Sequence, residues 1–484
     1  MVFNSYIFIL LFLPVTLIGY YGLMRLKKGD AARLFLTAVS LVFYAYFRPV
    51  YLPVLIGSIC VNYFFASFID KREKNKKAFL ITGIVFNILL LFVFKYLDFT
   101  IGTINAVSGS SISAPGIMMP LGISFFTFQQ IAYLVDVFRG DIQNCSFGRY
   151  TLFVSFFPKL ASGPIAASSD LIPQFSDDGR KAFDRAYFSK GICRFSVGLA
   201  KKVLLADTLS KAVDHGFGHI SNLTSAEGWV TAILYSLQLY FDFSGYCDMA
   251  VGIANCLHID LPENFSLPYF ADSVSDFWKR WHITLTGFLT KYVYIPLGGN
   301  RKGKARTLLN IMIVYLISGI WHGADWSFVL WGVLHGLACC LHRTWAGLWE
   351  KIPRFIRVFV TFIYVTIAWV FFRAGSIREA LSFIGVMFGG KAGLFSHEFL
   401  ASFDVLELTY TESHIGFLGR ISDAFPALNM TVIISVSVTA LIVEKILSGR
   451  KFRPSLQNAV ICVLLLVWCV LSFSGVSVFL YFNF

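Results

Sequence analysis

The sequence predicts an all-α, polytopic integral membrane protein, a helical bundle in which some helices are broken or re-entrant around an interior cavity. Three observations carry this. Only 14% of the 484 residues are charged, against about 25% in a soluble domain, and the mean hydropathy is +0.68. Apolar runs of spanning or near-spanning length recur from Tyr6 to Phe482, which at roughly 20 residues per span leaves room for about ten or more helices. Decapeptides that alternate polar and apolar residues are absent, which argues against a transmembrane β-barrel. With no fixed-period repeat and no low-complexity linker, residues 1–484 read as one domain: flanking helices over 1–114, a motif-bearing core over 115–373 and C-terminal helices over 374–484.

The first run, Tyr6 to Met24, has neither a basic lead nor a small-residue cleavage site and is predicted to be a retained helix rather than a signal peptide. It leads into RLKKGDAAR (Arg25–Arg33), and the next two runs meet near Arg48-Pro49 before DKREKNKK (Asp70–Lys77). Basic loops face the cytoplasm, so the N-terminus is predicted to be external. The fourth run delivers Asp98–Pro115, which has no Lys or Arg and is predicted to be an external stretch. From Pro120 to Phe138 and from Phe153 to Pro164, aromatics mix with Gly, Pro, Gln129, Gln130 and Lys159. Breaks of this kind survive at membrane depth only inside protein or beside water, which predicts the cavity.

Gly179–Lys202 and Lys279–Arg306 are basic and predicted to be cytoplasmic. Gly393–Ser422 carries Glu398, Asp404, Glu407 and Glu412 against Arg420 alone and is predicted to be external; GRKFR (Gly449–Arg453) returns to the cytoplasm, leaving the C-terminus outside. The net charge of +13 sits in these loops, so it indicates membrane topology and not nucleic acid. The nine cysteines, among them Cys60, Cys193, Cys247 and Cys469, lie mostly within apolar runs without metal spacing and read as small buried hydrophobes.

Ionisable residues inside spans cost a few kcal/mol or more unless they face a partner or a cavity. YFDFSGYCDM places Asp242, Ser244, Tyr246 and Asp248 just after an apolar run, either as a helix-packing cluster or as part of a substrate site; Asp242 and Tyr246 share a helix face if Gly245 does not break it. LPENFSLPY, with two prolines, gives Glu263 and Asn264 a structural role. In the segment Asp276–Arg306, Lys279, Arg280, His282 and Lys291 alternate with Trp278, Trp281 and Phe288, and Asp276 and Arg280 are spaced for an ion pair. Arg301, Lys302, Lys304 and Arg306 either mark the cytoplasmic face or receive the phosphates of a nucleotide-bearing donor.

The segment SGIWHGADW (Ser318–Trp326) places His322 roughly 24 Å along a helix from Arg306. Ser318 lies one turn below, Trp321 and Trp326 flank it, and Gly319 and Gly323 are expected to leave open space beside it. A neutral imidazole there suits a general base for a hydroxyl. His335 and His342, seven apart on the next helix, are alternatives. No metal site is expected, because HExxH and carboxylates at ligand spacing are lacking.

These motifs resemble the membrane-bound O-acyltransferases, specifically the bacterial alginate O-acetyltransferase-like branch. The resemblance runs in order through LGISFFTFQ (Leu121–Gln129), SFFPKLASGPI (Ser155–Ile165), LAKKVLLAD (Leu199–Asp207), LQLYFDFSGYCDMA (Leu237–Ala250), LPENF (Leu261–Phe265), FWKRWHITL (Phe277–Leu285), YIPLGGNR (Tyr294–Arg301) and SGIWHGADWSFVLWGVLHG (Ser318–Gly336). One departure is Cys247, where the family commonly has Ser.

The resemblance implies a tunnel through the bundle, His322 as the catalytic histidine and His282 as its second characteristic position. It implies acetyl-CoA as donor substrate without a bound cofactor, and a bacterial inner-membrane location. The acetyl group would pass outward to an exopolysaccharide or cell-wall glycan through an extracytoplasmic SGNH-type partner with a Ser-His-Asp site. The chain has no GxSxG elbow of its own. D-alanyl or other acyl transfer, and transport, are the rival readings; the lack of two matching halves disfavours a transporter.

Overall fold

The structure is a computed structural model that describes residues 1–71, 74–176, 183–450, 452–473, 477 and 479–480. Arg72, Arg180, Lys181 and Lys451, which contribute to the charge pattern above, lie outside the described residues. The elements are α1 (Leu13–Arg25), α2 (Gly29–Phe47), α3 (Leu52–Lys71), α4 (Lys76–Leu91), α5 (Leu97–Ser108), α6 (Ile123–Arg139), α7 (Phe147–Ser155), α8 (Phe157–Leu160), α9 (Ser168–Leu171), α10 (Arg185–Ala200), α11 (Asp207–Gly218) and α12 (Ser225–Cys256). They continue as α13 (Val274–Arg280), α14 (Ile283–Leu289), α15 (Lys304–His322), α16 (Trp326–Trp349), α17 (Arg354–Arg373), α18 (Ile377–Gly389), α19 (His397–Ala401), α20 (Leu406–His414), α21 (Gly416–Ala424), α22 (Leu428–Leu447) and α23 (Leu456–Leu471). Among the described residues seven helical spans are long and apolar enough to cross a membrane, and the protein is an all-α, multi-pass membrane protein.

Of the two stretches expected to be broken, one is regular and the other is broken where expected. Pro120–Phe138 holds a regular helix, α6, with Gln129 and Gln130 buried; Gln130 donates to Ser58 Oγ at 2.7 Å, so its polarity serves helix packing. Phe153–Pro164 is interrupted as predicted, at Phe156, between α7 and α8. Asp98–Pro115 is helical through Ser108, because a π-turn at Phe92–Tyr96 joins α4 to α5 and the loop starts only at Gly109. The acidic segment Gly393–Ser422 folds largely into α19, α20 and the start of α21.

Lys201 and Lys202 do not belong to a basic loop. They sit in a π-turn, Lys201–Ala206, that makes α10 and α11 one continuous helix, packed antiparallel on α12. The close approach needs glycine: a Cβ on Gly198 would stand 2.6 Å from the Gly245 carbonyl oxygen, and one on Gly191 would stand 2.6 Å from that of Gly252. Gly245 therefore does not break α12, which runs on for 32 residues.

Across this contact Lys202 Nζ meets Asp242 (2.7 Å) and Asp207 (2.9 Å). Lys201 Nζ meets Asp248 and Glu444, both at 2.8 Å, and Arg194 bridges Asp248 and Glu263. Each buried charge is matched, which is what allows it away from water. Removing Asp242, as in Asp242→Leu, leaves Lys202 paired with Asp207 and is expected to cost about 1–3 kcal/mol. Thermal unfolding in lipid nanodiscs reads the loss, and Lys202→Leu, which takes the cation from both Asp242 and Asp207, should cost more.

The buried apolar residues form two clusters that share α12: one from the N-terminal helices through Leu261, joined by Cys469 and Phe479, the other built mainly by α12–α18 with parts of α6, α11, α19 and α22. The second cluster holds the aromatic rings of the candidate site.

Candidate active site

The two histidines expected to matter are brought together from segments 40 positions apart. His322 is the last residue of α15, and His282 lies in the break between α13 and α14. Their ring centroids are 6.3 Å apart. Trp321 contacts both, at 4.9 Å from His322 and 5.9 Å from His282. Trp331 (5.1 Å) and Phe372 (5.3 Å) also stand against His322, and Phe243 (4.9 Å) stands edge-on to His282.

The chain turns at His322 because Gly323 follows it in extended conformation and Asp325 then caps α16, its carboxylate accepting from Ser327 N at 2.7 Å. Asp325 is thus a helix cap. The glycines do not leave open space as expected. A Cβ on Gly319 would stand 2.4 Å from the Phe328 carbonyl oxygen, and one on Gly323 would enter the Phe328 ring; both let α15 and α16 pack closely. Trp326, half exposed, contacts Phe99 rather than His322. His322 is 2% exposed and His282 0%, so both imidazoles are buried, with edge-to-face aromatic contacts forming part of their surroundings.

His282 is held in a defined state. Its backbone is left-handed (φ 46°, ψ 51°), a conformation that a β-carbon disfavours. Asn264, from LPENF, secures it: Ile283 N donates to the Asn264 carbonyl at 2.9 Å. The Asn264 side-chain oxygen accepts from Thr284 N (3.2 Å) and Thr284 Oγ1 (2.9 Å), and His282 Nδ1 lies 3.1 Å from it. A backbone N–H can only donate, so the atom facing Thr284 N is the amide oxygen. It follows that Nδ1 of His282 carries a proton, and in the neutral ring Nε2 bears the lone pair. The structural role expected of Asn264 is therefore orientation of a site histidine.

The other candidates separate. Ser318 is buried one turn below His322, and Trp321 stands beside both histidines. Trp281 follows α13 but turns its ring to Phe277 (5.6 Å) and Trp369 (5.0 Å). Asp242 and Asp248 are occupied by Lys202, Lys201 and Arg194 on the α10-facing side of α12. Ser244 is buried, and Tyr246 packs on Phe3 and Phe479. Arg280 pairs with Asp276 at 2.8 Å, as the spacing predicts, and with exposed Lys279 it lines a cleft of about 340 Å³ shared with Arg354 and Arg357. Arg301 is exposed on the loop before α15, about 27 Å along that helix from His322 or farther. His335 accepts from Trp278 Nε1 at 3.1 Å and is separated from His322 by Trp331, while His342 borders the cleft. No cluster with metal-ligand geometry occurs among the described residues.

Two features escape the sequence reading. Trp331 and Phe372 look like ordinary span residues until the fold places them on the imidazole. Lys95 donates to the carbonyl of Trp321 at 2.6 Å; the only signal for it is a single cation in the apolar run Phe79–Leu97.

Residues 137–377 match the sequence model of MBOAT, the membrane-bound O-acyltransferase family, a span that contains Asn264, His282 and His322. The chain is 38% identical to the peptidoglycan O-acetyltransferase of Helicobacter pylori over 100% of its own length and 98% of the relative's. It is 37% identical to the "Probable alginate O-acetylase AlgI" of Pseudomonas putida over 80% of each chain. The teichoic acid D-alanyltransferase of Bacillus subtilis is more distant, 23% identical over 76% of this chain and 97% of the relative.

Proposed function

Because the chain belongs to the membrane-bound O-acyltransferase family, we propose that it O-acetylates a cell-wall glycan, using acetyl-CoA from the cytoplasmic side of a bacterial inner membrane and His322 as the reacting group. The observation that carries the histidine assignment is the meeting of His282 and His322 in one aromatic cage, 6.3 Å apart, where burial in a membrane bundle would otherwise have favoured an apolar pair. The acceptor class follows from the whole-length match to a peptidoglycan O-acetyltransferase, which includes the C-terminal helices.

In this reading the donor's phosphates meet the basic cleft of Lys279, Arg280, Arg354 and Arg357. The thioester arm reaches the histidines when Trp321, Trp331 and Phe372 move aside. An imidazole nitrogen of His322 takes the proton of an acceptor hydroxyl as its oxygen attacks the thioester carbonyl; the C–S bond breaks and the thiolate receives that proton. Alternatively an imidazole nitrogen attacks the thioester carbonyl first, the C–S bond breaks and the thiolate takes the ring N–H proton, and the acetyl group then passes to the hydroxyl oxygen as the hydroxyl proton returns to the ring. His282, with its Nε2 lone pair fixed by Asn264, orients the reacting partners. An extracytoplasmic SGNH-type protein completes delivery to the glycan.

The test is purified protein in lipid nanodiscs given acetyl-CoA. Free thiol should appear at a rate that depends on His322 and rises when an acceptor hydroxyl is supplied. Thiol release equal to that of empty nanodiscs would remove acetyl-CoA as donor.

A further inference from the structure

The tip of α15 that carries His322 is held by two residues with no part in the steps above. An α-helix ends with four carbonyls that lack intrahelical partners; in α15 these belong to Gly319, Ile320, Trp321 and His322. Gly323 N donates to the Gly319 carbonyl at 3.4 Å. Tyr96 Oη donates to that of Ile320 at 2.8 Å. Lys95 Nζ donates to those of Trp321 (2.6 Å) and His322 (3.2 Å), and also to Ser124 Oγ at 3.3 Å, the second residue of α6. The three N–H groups of the ammonium thus have three acceptors, and the cation sits at the negative pole of the helix.

A lysine within an apolar span costs a few kcal/mol, more than is needed to close a helix end that backbone or a hydroxyl could close. The π-turn Phe92–Tyr96 aims Lys95 and Tyr96 at the same helix tip, though they are chain neighbours. The ammonium joins three elements at one corner: the π-turn, the start of α6 and the end of α15. Trp321 Nε1 donates to the Ser124 carbonyl at 3.4 Å and reinforces it.

We infer that Lys95 is a positioning residue for acyl transfer, fixing the backbone of Trp321 and His322 so that the His322 ring keeps its place against His282. This rests on the reading that His322 acts on the reacting atoms. Every N–H of Lys95 is directed at the fold, so its effect reaches the reaction through the placement of His322.

The experiment compares Lys95→Met, Lys95→Arg, Tyr96→Phe and His322→Ala in full-length protein in nanodiscs, measuring kcat and KM for acetyl-CoA alongside Tm. Lys95→Met is expected to lower kcat about 100-fold, the scale of an ångström-level misplacement, with KM changed less than about twofold and Tm near that of the parent. Lys95→Arg, which keeps charge and donors, should regain about tenfold of that loss. Tyr96→Phe removes one partly exposed hydroxyl and should lower kcat by about threefold. Full kcat in Lys95→Met overturns the inference; so does a loss that follows Tm and that arginine does not relieve. If Lys95→Met does not accumulate, Lys95→Gln, which keeps a donor on a shorter arm, carries the test, and full kcat there overturns it. Turnover retained in His322→Ala would instead defeat the parent reading, whatever Lys95 does.

Discussion

Replacing His322 by alanine is expected to eliminate glycan O-acetylation while the protein remains in the membrane at its usual abundance. The ring is walled by Trp321, Trp331 and Phe372, so alanine leaves a cavity; His322→Asn, closer in volume, separates lost chemistry from lost packing. The size of the effect also distinguishes the two roles. A general base contributes about 10²–10⁴-fold, so its removal leaves slow residual turnover. A covalent carrier leaves none by that route, and parent protein given radiolabelled acetyl-CoA without acceptor would retain label on the chain, absent from His322→Asn. The measurements are acetyl content of isolated glycan, protein abundance by immunoblot and protein-bound label. Normal acetylation in both variants would remove His322 from the reaction.

His322 was legible in the sequence because an imidazole in a span demands a reason, His282 only through the motif resemblance, and the fold brings the two together. Their surroundings were less legible. Gly319 and Gly323 give the same signal whether they admit a substrate or a neighbouring helix, and only the position of Phe328 shows that they admit a helix. The choice for Asp242 and Asp248 between a packing cluster and a substrate site stayed open in the sequence because their partners, Lys202 and Lys201, are 40 and 47 positions away, in a stretch whose charge pattern matches a cytoplasmic loop. A helix that continues through a π-turn carries no simple hydropathy signature, so the same blindness covered Lys95. The all-α membrane class needed none of these pairings; composition and run length suffice for it.

Loss of the Asn264 amide is expected to be nearly as damaging as loss of His282 itself. His282→Ala should reduce turnover by about 10²–10³-fold if the ring orients reacting groups. Asn264→Leu keeps the apolar fit but removes the acceptor that holds Nδ1–H and Thr284. The ring can then turn or exchange tautomers, and a similar reduction is expected. Asn264→Asp retains an oxygen facing all three donors and should stay within about tenfold of the parent. Because Asn264 is assigned to act through His282, the effects should not add: the double variant His282→Ala with Asn264→Leu should turn over no more slowly than His282→Ala. A multiplicative loss in the double variant would give Asn264 an independent role, and full activity in Asn264→Leu would leave the tautomer of His282 without consequence. Nitrogen-15 NMR of labelled histidine in lipid reads the same point directly, with Nδ1 of His282 protonated in the parent and the assignment lost in Asn264→Leu.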